Sequence, residues 1–106
     1  NEYVDIVGVD IYEDNTNAKS RQHKALVDLT KGKKLITVSE CGNIPDPTES
    51  WHLEHKWSWF MVWSSSDAEG NPSLYHDSWS LNTEAYWKQV MTHPHILTRE
   101  DMPSLK

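Results

Sequence analysis

The chain has 106 residues, a formal net charge of −6 and one cysteine, which leaves room for a single small domain and excludes an internal disulfide. Its basic residues are scattered apart from Lys31, Lys33 and Lys34, so no nucleic-acid or anionic-membrane surface is expected. No apolar stretch reaches the roughly 18 residues of a membrane span, and no charged-then-apolar start marks a signal peptide. The chain opens at Asn1, almost inside an apolar run, and is read as a fragment of something longer. Six tryptophans are the compositional anomaly. At that density some are expected on a ligand surface, because indole faces stack on sugar rings as well as fill cores.

Residues 3–11 (YVDIVGVDI) are predicted as the first strand, with Gly8 admitting a close neighbour and Asp10 and Tyr12 falling on one side by the period of two. A helix follows over about residues 18–31, where Ala18, Gln22, Ala25, Leu26 and Leu29 recur at helical spacing with lysines and arginine on the other face. Asn15, Thr16 or Asn17 is expected to cap its start and Gly32 its end. The second strand, residues 34–39, is β-branched without strict alternation, as in a parallel strand covered on both faces, and stops at Glu40. Gly42 is expected to let the chain turn, and Pro45 and Pro47 to prevent the strand from continuing. Cys41 is read as a small buried hydrophobe.

A short helix is expected from Thr48 to about Lys56, with Trp51 and Leu53 inward, and a third strand over residues 57–63 (WSWFMVW). Trp51, Trp57 and Trp59 are read as packing. The loop over residues 64–81 is too long for a simple connection and is expected to bind, with Trp79 its best candidate for a sugar contact and His76 read as solvated. A last helix is capped by Asn82 or Thr83, runs to about Thr92 with Ala85, Tyr86, Val90 and Trp87 toward the sheet, and is stopped by Pro94. The tail after His95 is expected to wrap back loosely. His52 and His55 lack a zinc-helix spacing, and His93 and His95 are read as capping carbonyls, so no metal or cofactor is expected.

Two β-helix-β crossovers thus bring three parallel strand ends to one edge: Asp10 with Tyr12, then Glu40, then Trp63. A carboxylate at such an edge lies where α/β barrels place their chemistry. A carboxylate beside a phenol and an indole suits glycoside cleavage, where the carboxylate attacks or stabilises an oxocarbenium-like centre and an aromatic face packs under the ring.

The segments GVDIY, KLITVSECGNIP, WSWFMVW, YWKQVM and ILTREDMP together resemble the C-terminal part of glycoside hydrolase family 26, known for endo-β-1,4-mannanases. The resemblance covers nearly the whole chain, so residues 1–106 are read as the C-terminal portion of one catalytic domain. It implies an α/β fold, strands six to eight of a (β/α)8 barrel, and a retaining hydrolase of β-1,4-mannosidic bonds acting outside the cell or at its surface. In that frame Glu40 is similar to the nucleophile, Tyr12 to the tyrosine hydrogen-bonded to it, Asp10 to a neighbouring site residue and Trp63 to the tryptophan stacking on the sugar.

The acid/base of the family lies at the end of strand four, upstream of Asn1, so the fragment alone is expected to be inactive without its N-terminal barrel half. Glu13, Asp14, Asp46 and Glu49 are read as loop carboxylates rather than substitutes. Two other functions compete. One is a non-catalytic carbohydrate-binding protein in which Trp63 and Trp79 hold a glycan; the other keeps the clan but acts on β-glucan or xylan. The bare strand edges and uncovered sheet face of so small a piece predict aggregation.

Overall fold

The computed structural model describes residues 2–63, 65–66, 72–73 and 81–103, with only the backbone pairing of 65–66 and 72–73. Three strands form a parallel sheet in chain order: β1 (Ile6–Ile11), β2 (Leu35–Cys41) and β3 (Phe60–Val62). Helix α1 (Ser20–Thr30) connects β1 to β2, and the short α2 (Pro47–His52) lies between β2 and β3. Strands β4 (Ser65–Ser66) and β5 (Pro72–Ser73) make a small antiparallel pair inside the predicted long loop. Helix α3 (Glu84–Met91) and a 3-10 turn (Arg99–Asp101) close the described chain. Trp79 and His76 lie outside the described residues.

The predicted strand-helix-strand order is found, with shorter elements. β1 begins at Ile6 rather than Tyr3, and β3 keeps only Phe60–Val62. β2 runs two residues further than its apolar pattern indicates and includes Glu40.

One face of the sheet is sealed. Ile11, Val38 and Cys41 form its core, with Val9, Trp57, Phe60 and Val62 packed around them. The other face exposes Ile6, Leu35, Trp59, Met61 and Trp63. Trp59 shares the period-two face of Met61 and Trp63, opposite the core-facing Phe60 and Val62, so it lies outside the sealed core.

The helix ends are made differently from expectation. Asn17 Oδ1 accepts from the Lys19 amide at 2.9 Å and Asn15 Oδ1 from the Asn17 amide at 3.2 Å, so these side chains shape the approach. The cap position of α1 belongs to Lys19, in the left-handed region at φ 55°. At the other end Lys31 and Gly32 both turn left-handed, and their amides donate to the Asp28 and Val27 carbonyls, a Schellman closure. In α2, Asp46 caps the helix through the Glu49 amide. Trp51 and Leu53 lie outward, and Trp51 stacks on His95 at 3.5 Å between ring centroids. Thr83 caps α3 through the Tyr86 amide, and Val90 is its buried residue; Ala85 is exposed. His93 caps no carbonyl among the described contacts: its ring meets the Thr48 hydroxyl and the His95 amide.

Candidate active site

The parallel register sets Asp10 beside Glu40 and Ile11 beside Cys41. Up to Val9 and Val38 the pairing is regular; the next pair skips Ser39. The same skip appears on the other side of β2, where the three-residue step from Val38 to Cys41 faces the two-residue step from Phe60 to Val62. Ser39 is therefore the extra residue of a β-bulge, and a bulge re-aims the side chain that follows it. Strict alternation would send Glu40 to the sealed face with Ile36 and Val38. After the bulge Glu40 shares a face with Asp10, and Cys41 takes the core position.

Gly8 makes room for this. A Cβ there would collide with the Ser39 side chain and crowd the Thr37 methyl group, so the close approach anticipated at Gly8 is to the bulge itself.

The Tyr12 hydroxyl reaches across from the end of β1 and donates a hydrogen bond to Glu40 Oε1. Loss of water around the phenol, its bond to Glu40 and the charges of Glu40 and Asp10 hold it protonated well above the ordinary tyrosine range. Trp63 follows β3 directly, its amide bonded to the Cys41 carbonyl at 2.9 Å and its side chain 51% exposed. The four predicted residues Asp10, Tyr12, Glu40 and Trp63 thus share one edge of the sheet.

The remaining ionisable groups near this edge have other duties. Cys41 is fully buried, and burial, with the charge of Glu40, pushes its thiol up to about 12 against the pull of Lys19. A thiol so held is not a nucleophile. Glu13 accepts from Gln22 at 2.6 Å and pairs with Lys19 at 3.5 Å; the Gln22 bond first, then the lysine, draws its carboxyl below the usual range. Glu49 accepts from the Ala18 amide at 2.6 Å. Together with the helix-capping Asp46, these carboxylates build the loops between the strands.

Three residues with a hold on the site escape sequence patterning. Lys19, 1% exposed, donates from Nζ to the carbonyl and side chain of Asn15, both at 2.8 Å, and so fixes the loop that follows Tyr12. Asn43 donates to the Glu13 carbonyl at 3.0 Å. Asn82 bonds to the backbone of residues 42 and 44. A hydrophobicity pattern has no term for a buried lysine or amide, and each partner is remote in sequence or sits in a loop.

Comparison with known proteins decides the family. The model of glycosyl hydrolase family 26 matches residues 1–101. The chain belongs to that family. Among its relatives, mannan endo-1,4-beta-mannosidase B of Piromyces sp is 30% identical over 97% of this chain and 17% of its own length. The mannan endo-1,4-beta-mannosidase of Thermothelomyces thermophilus is 32% identical over 93% of this chain and 19% of its own. The chain therefore spans less than a fifth of these curated relatives. A crystal structure of the GH26-CBM35 β-(1,4)-mannanase of Podospora anserina superposes with a TM-score of 0.77 at 28% identity, covering 92% of this chain and 20% of that one. A β-mannanase from a symbiotic protist of the termite Reticulitermes speratus, solved with a gluco-manno-oligosaccharide, gives 0.71 at 28% identity over 94% of this chain and 28% of its own. The likeness implies a TIM-barrel enzyme, of which the three-stranded parallel sheet is a small α/β piece.

Proposed function

We propose that these 106 residues are the nucleophile-bearing portion of a retaining β-1,4-mannanase, contributing strands six to eight of its barrel. The observation that carries this reading is the Tyr12 hydroxyl bonded to Glu40 on a common face with Asp10 and Trp63. The Tyr12 proton occupies Oε1, leaving Oε2 to attack the anomeric carbon. A carbon–oxygen ester bond forms as the glycosidic bond breaks, and a second carboxylic acid delivers its proton to the departing sugar oxygen. Its carboxylate then takes a proton from water, whose oxygen bonds to the anomeric carbon as the ester bond to Glu40 breaks. Trp63 stacks beneath the ring that becomes covalently held, Asp10 bonds to its hydroxyls, and Trp79 supplies a further sugar contact.

The second carboxyl is assigned to the end of strand four, outside these residues. Glu13, Asp46 and Glu49 are each occupied by loop contacts, which supports assigning the role to another residue. On this reading the segment alone is inactive, and its exposed Ile6, Leu35, Trp59 and Met61 meet the remainder of the barrel. Because polymeric mannan does not enter cells, the enzyme works outside or on the cell surface. The names of the relatives favour mannan hydrolysis over β-glucan or xylan, and over carbohydrate binding without catalysis.

The test is hydrolysis of mannan, with mixed-linkage glucan as control, by the intact parent protein, its Glu40→Ala variant and the isolated segment. Activity confined to the unaltered parent and to mannan is expected. Undiminished hydrolysis by Glu40→Ala would remove Glu40 from the reaction.

A further inference from the structure

Two residues after Glu40 the chain leaves the sheet through a turn, residues 42–45, that is buried throughout. Gly42 is not in the left-handed region that glycine alone readily enters, so the turn is not held by a glycine conformation. Buried loop backbone needs hydrogen-bond partners, and here side chains supply them. Asn82 Oδ1 accepts from the Ile44 amide at 2.9 Å, and Asn82 Nδ2 donates to the Gly42 carbonyl at 2.6 Å. The Tyr86 hydroxyl donates to the Ile44 carbonyl at 3.1 Å, and the Gly42 amide donates to the Ile11 carbonyl at 3.2 Å. Asn82 is 1% exposed, so both ends of its amide are committed to this turn.

A bulge is a local break in the ladder, and sliding Ser39 back into register would turn Glu40 toward the core. The strand must therefore be anchored on both sides of the break. Before it stands the regular pairing of β1 and β2 through Val38; after it stand only the short resumed pairing of Glu40 and Cys41 with Asp10 and Ile11 and then the turn gripped by Asn82. We propose that Asn82 is a positioning residue for Glu40. Its amide, matched to one donor and one acceptor, fixes the exit of β2 and so keeps the carboxylate after the bulge on the open face. This inference rests on the reading of Glu40 as nucleophile.

The side-chain amide makes the test specific. In Asn82→Asp an ionised carboxylate would still accept from Ile44 but set its second oxygen against the Gly42 carbonyl, whereas the protonated acid restores a donor there. Among the described residues, the ionisable groups around the turn are Glu40 and Cys41 of β2, Tyr86 of α3, Asp46 and Glu49 at the head of α2, Lys19, and Glu13, to whose carbonyl Asn43 donates. Tyr86, pushed up to about 12 by burial and then by Asp46, stays neutral throughout the assay range.

The intact parent protein is treated with 2-deoxy-2-fluoromannosyl fluoride, which traps a covalent glycosyl-enzyme, and the labelled peptide and rate are measured by mass spectrometry across pH. Expected is label on Glu40 in both proteins, with Asn82→Asp slower by about tenfold near pH 8 and within about twofold near pH 5 relative to the unaltered protein at the same pH. An unaltered rate, or an equal loss at every pH, would overturn the role of Asn82. Label on another residue of the unaltered protein would overturn the Glu40 reading instead, a result separate from the behaviour of the variant. If Asn82→Asp does not fold, Tyr86→Phe, which removes only the hydroxyl bonded to Ile44, is expected to label about threefold slower; no change there would overturn the clamp.

Discussion

On the helix-covered face of the sheet Ile11, Val38 and Cys41 are closed off from solvent, whereas the other face of the same strands leaves Asp10, Tyr12 and Trp63 open. The sealed face follows hydrophobic burial, the open one presents a carboxylate pair, a phenol and an indole. What separates them is one residue: the bulge at Ser39 carries Glu40 from the first environment to the second. The gathering of both carboxylates at this edge thus comes from a local defect in strand pairing rather than from a special loop.

The sharpest way to break that contrast is to exchange Glu40 and Cys41 in the parent protein, Glu40→Cys with Cys41→Glu. The carboxylate then takes the core position beside Val38 and Ile11, and mannan hydrolysis should fall by about 10⁴-fold, as for loss of a nucleophile, although the carboxylate has moved by only one residue. Retained activity would mean that the face set by the bulge does not govern the reaction. Next in size is Tyr12→Phe, which leaves the ring and removes the donor to Oε1. A loss of about ten- to a hundredfold in kcat is expected in steady-state assays, with little change in KM.

Gly8→Ala acts on the bulge from the neighbouring strand by pressing on Ser39. Overpacking of this kind costs about 1–3 kcal/mol, measurable as a lower midpoint in urea unfolding.

The smallest effect belongs to the sealed side. His23 is buried between the His55 ring at 4.7 Å and Trp57 at 4.9 Å, and burial first, then His55, holds its imidazole below the ordinary range. The unfolded chain therefore binds the proton more readily. The stability tied to neutral His23 is complete above about pH 6.5 and is lost as pH falls toward the depressed folded value. Thermal unfolding between about pH 7 and pH 5 should fall more steeply in the unaltered protein than in His23→Gln, and parallel curves would count against this account.

The sheet order and the gathering of Asp10, Tyr12, Glu40 and Trp63 at one edge were legible because strand periodicity and strand ends are written locally. The orientation of Glu40 was not. Two residues of regular β-branched pattern look the same with or without a bulge, and only the register against Val9 and Phe60 reveals it. The partners of Trp51 and Trp59 were not legible for a related reason: large apolar side chains signal packing without saying where, and Trp51 packs on His95 outside the core while Trp59 lies on the sheet face opposite it. Asn82, adjacent to the helix-capping Thr83, reads locally as a second cap, while its partners lie 38 and 40 residues earlier.

Cys41 carries one more consequence. Placed in the core by the bulge, with its thiol pushed up to about 12, it should be nearly inert to alkylating reagents while β2 is paired. Its modification in the folded enzyme would then record the rate at which this strand opens, giving the residue that follows Glu40 the use of a built-in clock for the integrity of the site.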